Sequence, residues 1–518
     1  MKLAALLATF GLIVTVGAVA AGPSPAQTSG PTLVDPALRL STVVSGLALP
    51  TSIAFLGEDD FLVLEKDTGR VVRVTNGVNQ GAVLDLSVNN FSERGLLGIA
   101  LHPDFPADPG VYLYWTCRST APLDDDPFTP EERQCSDAAM FGPDTNDVLR
   151  VPLLGNRVDR FVWNGSALTF DHHLTTFLAF QNDGAPEPPD QGDAAQPPRG
   201  NHDGGVIAFG PDEKLYVLVG DVGRRSALQN LPCGPVESCA DGTKPDDQFG
   251  GPAPDDAHFS GVIARLNDDG STPADNPFAG FTGANAEITA NVRRIFAYGL
   301  RNSFGMAFDP VSGALWDQEN GEDAFDELNR VEAGENSGWT QIAGPSSRVA
   351  QYKAIEKTSL HHEDFPNLQQ FRWPPEFIAD SPQEALARLF VLPGSHYGEP
   401  EFSWKHVLAP AAIGFAEGRG IGPQFAGDLF VGMSVPEPLD GPLFRLNLTG
   451  NRKKIGVDDP RLEDRVADNS TFHDMTESES LLAGTGFGVV TDIETGPDGH
   501  LYVVSLSQGT VYEISGRR

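Results

Sequence analysis

Apolar and polar positions alternate along this chain in short runs, and the runs come in pairs. Ile53-Ala54-Phe55 is followed by Phe61-Leu62-Val63, and Ile99-Ala100-Leu101, closed by His102-Pro103-Asp104, by Val111-Tyr112-Leu113-Tyr114. The same apolar strand, Pro/Asp/Gly turn and aromatic-rich strand recur at residues 207–217, 306–316 and 493–503, with 425–446 a looser sixth copy. A period of two bounded by turn residues predicts β-hairpins, and helical periodicity is almost absent.

A hairpin repeated in this way cannot bury both of its faces alone, so the units must stack on one another. The expected fold is all-β: a six-bladed β-propeller of four-stranded antiparallel blades. The terminal strands, near 38–44 and 509–514, are expected to share a blade and close the ring. A pair of β-sandwiches is the competing architecture. Residues 37–518 then form one propeller domain, with long inserts near 118–150, 181–199, 228–258 and 350–400. These inserts are rich in Pro, Gly and acid and read as surface loops.

Composition narrows the partners. The 518 residues carry a formal charge of −35, which argues against nucleic acid and against docking on anionic lipid. Residues 1–20 read as a secretory signal: Lys2, an apolar run from Leu3, and Ala18-Val19-Ala20 as a small-x-small cleavage site. The run is nearly long enough to serve as an uncleaved anchor instead. Residues 21–36 read as a flexible linker. The mature protein is therefore expected to be secreted or periplasmic, with no stable membrane insertion after cleavage. Four cysteines suit that compartment, and sequence-local pairing, Cys117 with Cys135 and Cys233 with Cys239, is the simplest of three connectivities.

The candidate chemistry begins at Asn201-His202-Asp203-Gly204-Gly205, immediately before a predicted strand. Glycines let a ligand approach the backbone, and a histidine exchanges protons near neutral pH. A histidine at a strand entry is also a common structural loop residue. No Rossmann glycine fingerprint, P-loop, nucleophile elbow or HExxH motif occurs, which removes nucleotide-cofactor and zinc-protease readings.

From Asn201 to Asp221 the chain resembles the soluble quinoprotein glucose, aldose and sorbosone dehydrogenases. Further segments carry the likeness: Glu93-Arg94-Gly95-Leu96-Leu97-Gly98, Gly261-Val262-Ile263-Ala264-Arg265-Leu266-Asn267, and above all Tyr298-Gly299-Leu300-Arg301-Asn302-Ser303-Phe304-Gly305. The last is followed by Glu319-Asn320-Gly321, Asp326-Glu327-Leu328-Asn329 and Asn336-Ser337-Gly338-Trp339. The resemblance implies a propeller that binds pyrroloquinoline quinone and calcium and oxidises a sugar or related polyol for an external electron acceptor. By position, His202 is implied as the general base and Arg301 as the partner of the quinone oxygen that gains charge. Asn302 and Asn320 would hold the cofactor rim, with Glu93 and Asn201 near substrate or ring. The backbone carbonyls of Gly321 and Glu322 match a calcium-holding pair. Asp326-Glu327 reads as an exposed or blade-bridging acidic turn.

The chain also departs from that family. Val489-Val490-Thr491 stands where an Arg-x-Arg pattern is expected, and residues 434–440 carry two acids and no lysine. The loop His406–Ala412 lacks a hydroxyl residue after Ala409-Pro410, Glu93 replaces a glutamine, and Glu322 replaces a proline. All five changes predict a pocket with fewer cations and more acid, although the cofactor is a tricarboxylate. Lys405 and Arg419 are the nearest candidates to compensate. Two alternatives follow: a quinone-free propeller acting as a binding module, and a lactonase-like hydrolase with Glu93 and Asp203 as metal ligands.

Overall fold

The structure is a computed structural model that describes residues 30–90, 93–117, 155–177, 179, 202–222, 260–283, 286–358, 375–418, 420–435 and 440–517. The residues expected to form the signal peptide, Asn201, Arg419 and all three inserts before residue 260, with Cys135, Cys233 and Cys239 of the expected cysteine pairs, lie outside that set.

The described strands form six sheets in chain order. The first comprises Pro50–Gly57, Asp60–Glu65, Arg70–Thr75 and Val78–Asp85; the second Leu96–Leu101, Gly110–Thr116, Asn156–Trp163 and Leu168–Phe177. The third runs through Ile207–Phe209, Leu215–Val219, Val262–Leu266 and Ile295–Tyr298, the fourth through Gly305–Phe308, Leu315–Glu319, Asp326–Val331 and Phe402–Trp404. The fifth is built on Pro410–Phe415, Leu429–Met433, Leu443–Thr449 and Leu482–Thr485. In the sixth, Val490–Thr495, Leu501–Ser505 and Thr510–Gly516 are completed by Leu38–Ser45, so the two chain ends share a sheet as expected.

Strict four-stranded antiparallel sheets hold for the first, second and sixth. The third and fourth add short parallel strands at their outer edges. The fifth gains Thr32–Leu33, from the segment read as linker, and Lys454–Gly456.

Each first strand touches the first strand of the next sheet, and Val490–Thr495 returns to touch Pro50–Gly57. The arrangement is that of a β-propeller. Apolar side chains fill the gaps between neighbours, because both faces of each sheet are covered. Leu62 and Val71 pack with Ile99 and Val111; Tyr112 and Val158 with Val217 and Val262; Phe430 and Leu443 with Ile493 and Val503. Ile53 and Val63 meet Tyr502 and Val504 across the junction where the chain ends meet. Each fully buried Val, Leu or Ile contributes about 1.5–3 kcal/mol.

Two expectations are corrected. The looser copy at 425–446 is the second and third strands of the fifth sheet, and its first strand is Pro410–Phe415, in the stretch read as a loop. The insert at 350–400 holds the helices Val349–Thr358 and Pro382–Arg388. Ser381 caps the second by accepting from the Glu384 N–H, with Pro382 in the first turn. Tyr352, Ile378 and Ala385 pack beneath them on Phe325 and Trp339, so this insert supports the site.

Candidate functional site

His202 ends the segment leading into the first strand of the third sheet, and its backbone has φ 61°. That left-handed conformation is uncommon for a residue with a side chain and needs support from its surroundings. Gly204 and Gly205 follow with φ 62° and 109°. A Cβ on Gly205 would lie 2.6 Å from Leu97 Cβ, so the neighbouring sheet approaches the backbone too closely for any side chain.

Both ends of His202 are held. Its backbone N–H donates to Glu93 Oε2 at 2.6 Å, and its Nδ1 lies 2.7 Å from Asp221 Oδ1. Asp221 follows the second strand of the same sheet, is fully buried, and accepts from the Trp339 indole N–H at 2.9 Å through Oδ2. Ionised Asp221 can only accept, so a neutral imidazole keeps its proton on Nδ1 and presents a lone pair at Nε2. This is the tautomer a general base needs.

Arg301 and Asn302 sit between the third and fourth sheets. The Arg301 guanidinium lies over the Trp339 ring, 5.5 Å from its centroid, donates to Asn320 O at 2.9 Å, and pairs with Glu322 Oε2. Its carbonyl accepts from the Asp221 N–H at 2.7 Å. Trp339 thus ties the acceptor that orients His202 to the cation. Asn302 Nδ2 donates to Glu93 Oε2 at 3.2 Å, and its carbonyl accepts from the Asn320 N–H. Asn320 Nδ2 reaches Pro410 O in the fifth sheet. The Oδ1 atoms of Asn302 and Asn320 are buried without a hydrogen-bond partner, two orphaned groups that fit the rim of a polar ligand.

Residues 321–326 form a tight turn. Asp326 Oδ1 accepts from the Gly321 N–H at 2.9 Å, and its Oδ2 accepts from the Leu408 and Ala409 N–H groups of the next sheet. Glu356, on the helix Val349–Thr358, accepts from the Asp323 and Ala324 N–H groups. A Cβ on Gly321 would meet Phe325 O at 2.4 Å. This rigid bend fits the expected backbone ligands of a hard cation. Asp326 and Glu327 are buried, not exposed; Asp326 is the blade-bridging residue.

Charge at the site is less negative than its acid count. Burial pushes Asp317 and Glu327 up to about 8, and Glu319, which accepts from the Arg301 N–H, well above the usual carboxylate range. Burial likewise raises Asp203 to about 7, opposed by Arg94. Near pH 7 Asp317, Glu319 and Glu327 are therefore mostly protonated, and Asp203 is near the midpoint of its titration. Lys405 lies 3.5 Å from Asp468, and neither it nor residues 489–491 supplies a cation to His202 among the described contacts. Asp203 Oδ1 accepts from Asn156 Nδ2, and no group of three His, Cys, Asp or Glu ligands forms around Glu93 and Asp203 among the described residues.

Of the expected residues, His202, Glu93, Arg301, Asn302 and Asn320 are joined in one network, with Gly321 and Glu322 on its edge; Asn201 lies outside the described residues. Asp221, Trp339 and Glu356 escaped the sequence reading. Trp339 lay in a recognised motif, but nothing local to it indicates its partner 118 residues earlier.

Comparison with known proteins places this geometry. Residues 47–138 and 192–377 match the family model described as glucose/sorbosone dehydrogenase. An uncharacterized protein of Synechocystis sp. is 26% identical over 480 residues, covering 91% of this chain and 84% of its own. Quinoprotein glucose dehydrogenase B of Acinetobacter calcoaceticus is 29% identical over 328 residues (61% of this chain, 56% of that one). Aldose sugar dehydrogenase of Escherichia coli is 26% identical over 319 residues, 61% of each chain. The chain thus spans less than two thirds of these two named relatives. Among solved structures, the apo-form of the soluble E. coli aldose sugar dehydrogenase shares the fold with TM-score 0.56 at 21% identity, over 93% of this chain and 100% of that one. The aldose sugar dehydrogenase of Streptomyces coelicolor, solved with pyrroloquinoline quinone, aligns with TM-score 0.50 at 21% identity over 93% of this chain and 99% of that one. Glu93, His202, Asp221, Arg301, Asn302, Asn320 and Trp339 all fall inside the matched stretches, which cover more than half of the chain: it belongs to the glucose/sorbosone dehydrogenase family.

Proposed function

We propose that this chain is a secreted or periplasmic, calcium-assisted quinoprotein that oxidises an aldose or related polyol for an external electron acceptor. The observation that carries the reading is the buried His202–Asp221 pair beside Arg301 and Asn302, in a chain of this family.

Pyrroloquinoline quinone, when bound, supplies the acceptor for two electrons and a proton equivalent. His202 Nε2 takes the proton of the substrate hydroxyl, and Asp221 stabilises the resulting imidazolium. Arg301, kept planar against Trp339, holds positive charge where negative charge develops. Asn302, Asn320 and Glu93 orient the bound molecules through hydrogen bonds. The Gly321 and Glu322 carbonyls would hold calcium on the turn fixed by Asp326 and Glu356. Six sheets in a closed ring, a signal peptide at 1–20 and local cysteine pairs complete the proposal; the contact of the last first strand with Pro50–Gly57 supports the ring.

A quinone-free binding module remains the second reading, favoured by one contact: Glu322 already neutralises Arg301. Titrating calcium-loaded protein with the quinone, followed by calorimetry and absorbance, separates the two. Tight binding with bleaching on adding aldoses supports the dehydrogenase; no binding at micromolar quinone overturns it.

A further inference from the structure

At the end of the strands opposite His202, four of the six sheets repeat one electrostatic device, and the sixth inverts it. His202 precedes a first strand and Asp221 follows a second, so the turns joining first to second strands lie at the far end. An arginine on the third strand stands beside the second strand at the same register in five sheets: Leu62↔Arg73, Tyr112↔Arg160, Tyr216↔Arg265, Trp316↔Arg330 and Phe430↔Arg445. In four of them it pairs with an aspartate of the turn or of the start of the second strand, as Arg73 with Asp60 at 2.6 Å and Arg265 with Asp212 at 2.8 Å.

The sixth sheet places Glu513 at this register, opposite Tyr502. The turn aspartate is retained as Asp498, and Tyr502 donates to it at 3.1 Å just as Tyr216 donates to Asp212 at 3.0 Å. Two carboxylates therefore face each other where four of the other sheets hold an ion pair. His500 stands between them: its Nδ1 is 2.7 Å from Asp498 Oδ2 and 3.0 Å from Glu513 Oε1. That nitrogen is shielded from water yet makes no hydrogen bond of proper geometry. One ligand atom from each residue lies within 4.8 Å of the others.

We infer that Asp498, His500 and Glu513 bind a divalent transition-metal ion, which takes the place of the missing arginine. One imidazole nitrogen with two carboxylate oxygens suits zinc, with water completing the shell. Calcium prefers oxygen alone. Glu513 lies on Thr510–Gly516, between Leu501–Ser505 and Leu38–Ser45, so the ion clips the turn to the strand where the chain ends meet. The site is separate from the His202 network and independent of the proposed oxidation.

The test is zinc calorimetry and thermal unfolding on the chelator-treated full chain, with Glu513→Arg and His500→Ala beside the parent. The parent should bind zinc and unfold at a higher temperature with it. Both variants should bind this ion more than about tenfold more weakly, since loss of even an outer-sphere partner costs a metal site that much. Glu513→Arg, which can pair with Asp498 as in the other sheets, should match the parent's metal-free stability. Zinc affinity unchanged by both substitutions, or no zinc uptake by the parent, would overturn the assignment.

Discussion

His202 Nδ1 and Asp221 Oδ1 lie 2.7 Å apart although nearly the whole first hairpin of the third sheet separates them in sequence. The hairpin brings its two ends together, so the residue before the first strand meets the residue after the second. The second oxygen of Asp221 accepts from the Trp339 indole, a contact the amide oxygen of an asparagine could keep.

Asp221→Asn should therefore preserve the fold and lower turnover by about 10²–10⁴, because an amide allows the imidazole tautomer that has no lone pair at Nε2. Turnover of quinone-loaded protein with an aldose and a dye acceptor, beside an unchanged circular dichroism spectrum, checks this. Turnover within a factor of three of the parent would remove His202 from the role of base.

On the proposed quinoprotein reading, Glu322 works against cofactor binding. It neutralises a guanidinium that a bound tricarboxylate would need. Glu322→Gln is expected to tighten quinone binding by about tenfold, an ordinary gain for removing one nearby like charge. It should also lower the unfolding temperature of the quinone-free protein, since the buried Arg301 loses its counter-ion. Calorimetry and thermal unfolding with and without quinone test both halves.

Asp326 joins three backbone N–H groups of two sheets through one side chain. Asp326→Ala leaves those donors unsatisfied and should cost about 3–5 kcal/mol in urea unfolding, with faster hydrogen exchange at Leu408 and Ala409. On the proposed reading, calcium affinity should fall with it, because Gly321 is no longer fixed. Asp326→Asn, which keeps one acceptor oxygen, should lose less.

The hairpins were legible because alternation and turn residues are local properties. Strand Pro410–Phe415 was not: Pro410-Ala411-Ala412 lacks branched side chains, and its conformation is imposed by the gap between sheets. Gly414 approaches Ile493 O so closely that a Cβ would lie 2.1 Å from it. His202 announced itself through the glycines beside it, whereas Asp221 and Trp339 acquire meaning only when the chain returns. The acid count was legible but its charge was not, since burial decides which carboxylates ionise.

Asp203 makes that last point measurable. Burial raises its folded pKa to about 7 from an ordinary 3.8, with one oxygen held by Asn156 and the other without a partner. Between those two values the unfolded chain has released the proton that the folded chain keeps. The unfolded state binds fewer protons there, so stability falls as pH rises from about 4 to 7 and levels off above. A three-unit shift at 1.36 kcal/mol per unit sets the size at a few kcal/mol. Asp203→Asn, which keeps the Asn156 contact and cannot ionise, should abolish this slope and be more stable than the parent at pH 8, with the difference shrinking toward pH 4. Urea unfolding of both proteins across pH 4–8 measures it. Parallel curves would mean that Arg94 keeps Asp203 ionised in the folded state, and that the segment beside His202 carries a full negative charge.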